Sequence, residues 1–145
     1  MNLLHKTIRE KQFIEDLIPQ KDPFVMVDKL FHFSEKKVIS GLTIPPTNLF
    51  VDKGYFIAAG LIEHMAQSVA LYTGYQYYLK NEAPPTGYIG AIKSARILEL
   101  PQLGQELITT ATILHEILGV TLVAVQVTCK DAIIATSEMK TVLAN

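Results

Sequence analysis

Across residues 55–80 the apolar positions recur with the period of an α-helix. Ala58, Leu61, Ile62, Met65, Ala66, Val69 and Tyr72 fall at helical spacing, and no proline interrupts them. Gly60 and Gly74 are the only helix-weakening residues, each costing about 1 kcal/mol relative to Ala in a helix interior. Fully helical, the stretch would be ~39 Å long. Its charges are Glu63 and Lys80, with His64 able to add another. A helix apolar on nearly all sides must be wrapped by other elements.

The flanking segments read as strands. Residues 24–33, FVMVDKLFHF, are rich in bulky apolar side chains and predict a mostly covered strand; residues 36–44 predict a second, ended by Pro45–Pro46. Beyond 81–85 come four more candidates, at 87–100, 106–118, 120–130 and 132–143. Leu107, Thr109, Ala111 and Ile113 share one face of their strand, and Val123, Val125 and Val127 one face of the next. Leu118–Gly119 and Lys130–Asp131 are short enough for tight hairpin turns, and Pro101 with Gly104 marks a longer corner. Residues 2–16 mix apolar and charged positions and predict a short amphipathic helix, broken near Pro19. Strands grouped apart from one long helix indicate an α+β fold, a curved antiparallel sheet around a central helix.

Composition narrows the function. The 145 residues suit one domain, 1–145, and show no repeat or linker. The net charge of −1, with no long Lys/Arg cluster, gives no sign of a nucleic-acid partner. Hydrophobic residues reach 49% against 19% charged, so the chain has much to bury, in its own core or against another subunit. One cysteine, Cys129, excludes an internal disulfide framework and reads as a buried small hydrophobe. No stretch suits a signal peptide or a membrane span, so a cytoplasmic protein is expected. No phosphate loop, Ser-His-Asp order or metal-spaced cluster appears, and no cofactor is expected.

Glu63 is the odd residue of the chain, a carboxylate in its most apolar helix. Burying it requires a raised pKa, a hydrogen-bond partner or a cavity, and a tuned carboxyl group suits general acid or base work. The alternative is a solvated gap, or an ion pair with Lys93 or Arg96. Gln67 shares its helix face four residues on. His64 lies ~100° around the helix and reads as a structural histidine. His5, His32 and His115 are minor candidates for a base, and Tyr72, Tyr75, Tyr77 and Tyr78 read as aromatic packing, with an acyl tunnel as the other possibility.

Several of these segments resemble the hotdog-fold 3-hydroxyacyl-(acyl carrier protein) dehydratases of the FabZ/FabA type. IPQKDPFVMVDKL at 18–30 is similar to the family's opening LPHRxPFLLVDRV, and AAGLIEHMAQ at 58–67 to its helix motif PGVLILEAMAQ. GYIGAIKSARILELPQLGQELI at 87–108 and IATSEMKTVL at 134–143 resemble its later strands. Two departures stand out. Counting 14 residues back from Glu63, where the family carries a G-H-F-P histidine, reaches Leu49, and Gln20 replaces the opening histidine. A retained helix Glu without G-H-F-P is similar to divergent dehydratase-like proteins of aryl-polyene-type pathways.

The resemblance implies removal of water from a 3-hydroxyacyl thioester in fatty-acid or polyketide-type lipid synthesis. Glu63 would protonate the leaving hydroxyl, Gln67 would hold it in place, and the first-turn amides of Ala58, Ala59 and Gly60 would receive the thioester carbonyl. For Gly60 the alternative is close packing against a strand. The implied substrates are acyl-carrier-protein or acyl-coenzyme A thioesters, the implied partner an acyl carrier protein, and the implied assembly a homodimer or larger. A hotdog thioesterase using the same Glu and a non-catalytic acyl-binding subunit paired with an active dehydratase are the competing expectations.

Overall fold

A computed structural model describes residues 1–143, Tyr88 by its backbone alone. The elements run α1 (Lys11–Asp16), β1 (Lys29–Ser34), β2 (Lys37–Thr43), β3 (Val51–Asp52), β4 (Tyr55–Phe56), α2 (Ala58–Leu79), β5 (Gly87–Ile97), β6 (Glu106–Ile117), β7 (Val120–Cys129) and β8 (Ala132–Leu143). Six strands form one antiparallel sheet in the order β1-β2-β6-β7-β8-β5. Helix α2 touches every one of them, which is the hotdog arrangement expected from the sequence.

The alternation read in the sequence sets which side chains meet the helix. Leu107, Thr109, Ala111 and Ile113 of β6 and Val123, Val125 and Val127 of β7 are buried, and Ala111 pairs with Val125 across the ladder. They close on Leu61, Met65, Val69 and Leu71 of α2. Both anticipated tight turns form. Leu118 and Gly119 (φ 53° and 79°) and Lys130 and Asp131 (φ 52° and 64°) all adopt left-handed conformations. Two such residues in succession make the hairpin turn whose twist matches that of the strands.

Three boundaries differ from expectation, each for a physical reason. The N-terminal helix is confined to Lys11–Asp16, because Ile8 exchanges backbone hydrogen bonds with Leu30 (2.9 and 3.0 Å) and Leu3 donates to Phe33 O (2.7 Å). The central helix begins at Ala58, since Tyr55–Phe56 pairs with Val51–Asp52 in a small hairpin absent from the sequence reading. Strand β1 starts at Lys29 although apolar residues begin at Phe24, because side chains of α2 bind the backbone there.

Two helix glycines permit close approach. A Cβ at Gly74 would lie 2.0 Å from the carbonyl oxygen of Leu17, and one at Gly60 would lie 2.7 Å from the Phe50 Cβ and the Phe56 ring. Toward the C-terminal end of α2, Tyr72 and Tyr75 pack on Phe33, and Tyr78 meets Phe13 edge-on at 5.0 Å. The Tyr72 hydroxyl donates to Glu35 O, and burial pushes its pKa up to about 12. Cys129 is buried in the core, and burial likewise raises its thiol pKa.

Candidate active site

Glu63 is half-buried on the second turn of α2 and lines a groove of about 270 Å³. Ala66, Ala70 and Thr73 continue the same helix face along the groove. Leu17, Pro19 and Gln20 form one wall, and Gly87, Ile89, Thr141 and Leu143, from the paired ends of β5 and β8, form another. Ten residues of helix separate Glu63 from Thr73, roughly 15 Å at 1.5 Å per residue. The lining is mostly apolar, with Gln20, Thr73 and Thr141 as polar exceptions and Glu63 as its one ionisable group among the described residues.

Gln67 fixes the carboxyl group. Its Nε2 donates to Glu63 Oε1 (3.0 Å) and to Phe24 O (2.8 Å), while its Oε1 accepts the Met26 N–H (2.6 Å). The Met26 N–H is a donor only, so the amide cannot turn over without losing it. Gln67 therefore always presents N–H to Glu63, never an acceptor. Glu63 Oε2 makes no hydrogen bond among the described residues. The ion pairs weighed as an alternative do not form: Lys93 pairs with Glu138 (3.4 Å), and neither it nor Arg96 reaches Glu63.

The first-turn amides behave unequally. Gly60 N–H donates to Ile57 O (2.9 Å), and its α-carbon face is closed by Phe50 and Phe56. For Gly60, then, packing accounts for the glycine, and its amide is already engaged. No side chain caps the helix, and the Ala58 and Ala59 amides have no acceptor among the described residues. All three residues lie outside the lining of the groove that holds Glu63. Five residues of helix, roughly 7.5 Å, separate Ala58 from Glu63.

Gln20 joins the groove although the sequence marked it only as a replacement for histidine. Its Oε1 is buried with no hydrogen-bond partner among the described residues. No sequence signal distinguishes such a glutamine from a surface one. The tyrosine cluster lies away from this groove. The histidines do too. His64 is fully buried, His32 contacts Ser34 Oγ (3.1 Å), and Leu49, at the position counted for the family's histidine, is exposed. Among the described residues no group of three or more His, Cys, Asp and Glu can hold a metal ion, and no helix is long and apolar enough to cross a membrane.

A sequence model described as ApeP-like, ApeP dehydratase, matches residues 12–145. The chain belongs to the ApeP-like dehydratase family. The dehydratase heterocomplex ApeI:P from Xenorhabdus doucetiae superposes with a TM-score of 0.85 at 18% identity, over 91% of each chain. A Streptococcus mutans protein bound to acetyl-coenzyme A gives 0.67 at 15% identity, over 88% of this chain and 96% of that one. A hypothetical thioesterase with coenzyme A from Streptococcus pneumoniae gives 0.63 at 11% identity, over 80% and 84%. At these identities the structural likenesses carry the hotdog fold; the family assignment rests on the sequence match. No curated protein matches the sequence.

Proposed function

We propose that this ApeP-like protein dehydrates a 3-hydroxyacyl thioester, carried on an acyl carrier protein or coenzyme A, to the 2-enoyl thioester. The observation that carries the reading is the held carboxyl group at the end of an apolar groove. One Glu63 oxygen is held by Gln67, and the other has no hydrogen-bond partner among the described residues, beside a groove of about 270 Å³. In the elimination a proton leaves C2, the C2=C3 bond forms, and the C3–O bond breaks as the hydroxyl departs as water. Glu63 supplies the proton to the hydroxyl. No second acid or base lines the groove among the described residues, so the same oxygen first accepts the C2 proton. The Ala58 and Ala59 amides, unengaged among the described residues and at the positive end of α2, would polarise the thioester carbonyl of a substrate that reaches past the groove to the helix start.

A second reading draws on the lone carboxyl group and on the ApeI:P heterocomplex: the chain acts as one subunit of a mixed assembly whose other subunit supplies the missing base. Offering the purified protein 3-hydroxyacyl and enoyl thioesters of several lengths tests both. Enoyl product from the protein alone supports the dehydratase. Free thiol without enoyl product identifies a thioesterase. Neither product, with tight binding of the acyl thioester, identifies the acyl-binding subunit.

A further inference from the structure

The buried His64 is not spent on packing alone. Its Nδ1 lies 2.6 Å from Met26 O and its Nε2 lies 2.6 Å from Thr109 Oγ1. A carbonyl oxygen only accepts, so Nδ1 carries the proton and Nε2 accepts from the Thr109 hydroxyl. The ring is fully buried and cannot meet a ligand.

Met26 is therefore gripped at both ends of its backbone, C=O by His64 and N–H by Gln67. Phe24 O, two residues back on the same side of the extended segment, accepts from Gln67 as well. These are the bonds a neighbouring strand would make, and two helix side chains make them here. At Asp28 the ladder passes to a true strand, with its N–H donating to Gly41 O at 2.9 Å. The register of residues 24–28 is thus fixed by His64, Gln67 and β2 acting together.

We infer that His64 is a positioning residue for Glu63, acting through the Met26 backbone and the Gln67 amide. The Met26 N–H is what holds Gln67 Oε1 away from Glu63 and turns Nε2 toward it. Without His64 the Met26 carbonyl is buried and unpaired, the segment shifts to satisfy it, and Gln67 loses its fixed orientation. The inference uses the proposed role of Glu63 only for its catalytic consequence; the geometric coupling stands independently.

Two substitutions divide the ring. His64→Asn keeps an N–H near the Nδ1 position and loses the Thr109 contact; His64→Gln places its amide near Nε2 and loses the Met26 contact. The readout is the carboxyl 13C resonance of Glu63, with Gln67→Leu defining the shift expected when its partner is lost. The expected result is that His64→Gln moves this resonance in the same direction as Gln67→Leu, that adding Gln67→Leu to it moves the resonance no further, and that His64→Asn leaves it in place. With a 3-hydroxyacyl thioester, His64→Gln should lower kcat about tenfold with KM changed less than about threefold, and His64→Asn should restore most of it. Thr109→Val, which spares the Met26 contact, should leave the resonance unmoved. An unmoved resonance in His64→Gln, an equal shift in both His64 variants, or a shift in Thr109→Val overturns the inference. A protein that is inactive yet shows the expected resonances overturns the dehydratase reading and leaves the coupling intact.

Discussion

Glu63 and Gln67 were visible in the sequence because polar residues four apart in an apolar helix have nowhere inert to go. The partner and the cavity expected for Glu63 are both present. What the sequence could not show is the direction of the Gln67 amide, which a distant backbone N–H decides. His64 was correctly read as structural, but its link to Met26 spans 38 residues and leaves no local signal. Burial lowers its pKa to about 4, outweighing the Met26 hydrogen bond and Asp28, which raise it. An unfolded imidazole titrates near 6.5. Between pH 6.5 and 4 the unfolded chain thus binds a proton that the native state refuses, so stability falls as the pH falls through that window. The loss approaches about 3 kcal/mol by pH 4. Urea melts at pH 7 and pH 4.5 should show a larger drop for the native chain than for His64→Asn, which has no titrating ring; equal drops would contradict this.

At the scale of elements, apolar patterning located every strand of the large sheet and its helix, and turn chemistry located the β6–β7 and β7–β8 hairpins. The failures came where tertiary contacts override a local pattern. Residues 24–28 have the composition of a strand, but helix side chains occupy the backbone positions a ladder would use. The two-residue strands β3 and β4 are too short to have a period. Two substitutions probe this level. Leu118 holds φ 53°, a left-handed conformation costly for a side chain that gains nothing here, being 97% exposed. Leu118→Asn should raise Tm by about 2–4 °C, and no change would mean that the turn is unstrained. Gly74→Ala would be stabilising in an ordinary helix. Here the added methyl meets the Leu17 carbonyl at 2.0 Å. It should instead lower Tm by about 5 °C or more and, because Leu17 lines the groove, weaken acyl-thioester binding.

For the whole molecule the resemblance anticipated the hotdog arrangement, while the completeness of the site was beyond its reach. Strand β5 is an edge of the sheet, its far side without a strand partner among the described residues. Ile89 and Ile92 on it are exposed at 40% and 43%. Gly87 and Ile89 also line the groove, so a subunit added to this edge would border the site. Light scattering at micromolar concentration should return at least the mass of a dimer, about twice 16.1 kDa; a monomer would leave the edge to a different partner.

The role of Glu63 as the proton-transferring group is tested most directly by the rate of enoyl-thioester formation in the native protein and in Glu63→Gln, a substitution that keeps size and removes the acid. Turnover should be measurable in the first and about a thousandfold lower in the second, with the fold and the acyl-thioester affinity retained. Equal rates in the two proteins would contradict that role.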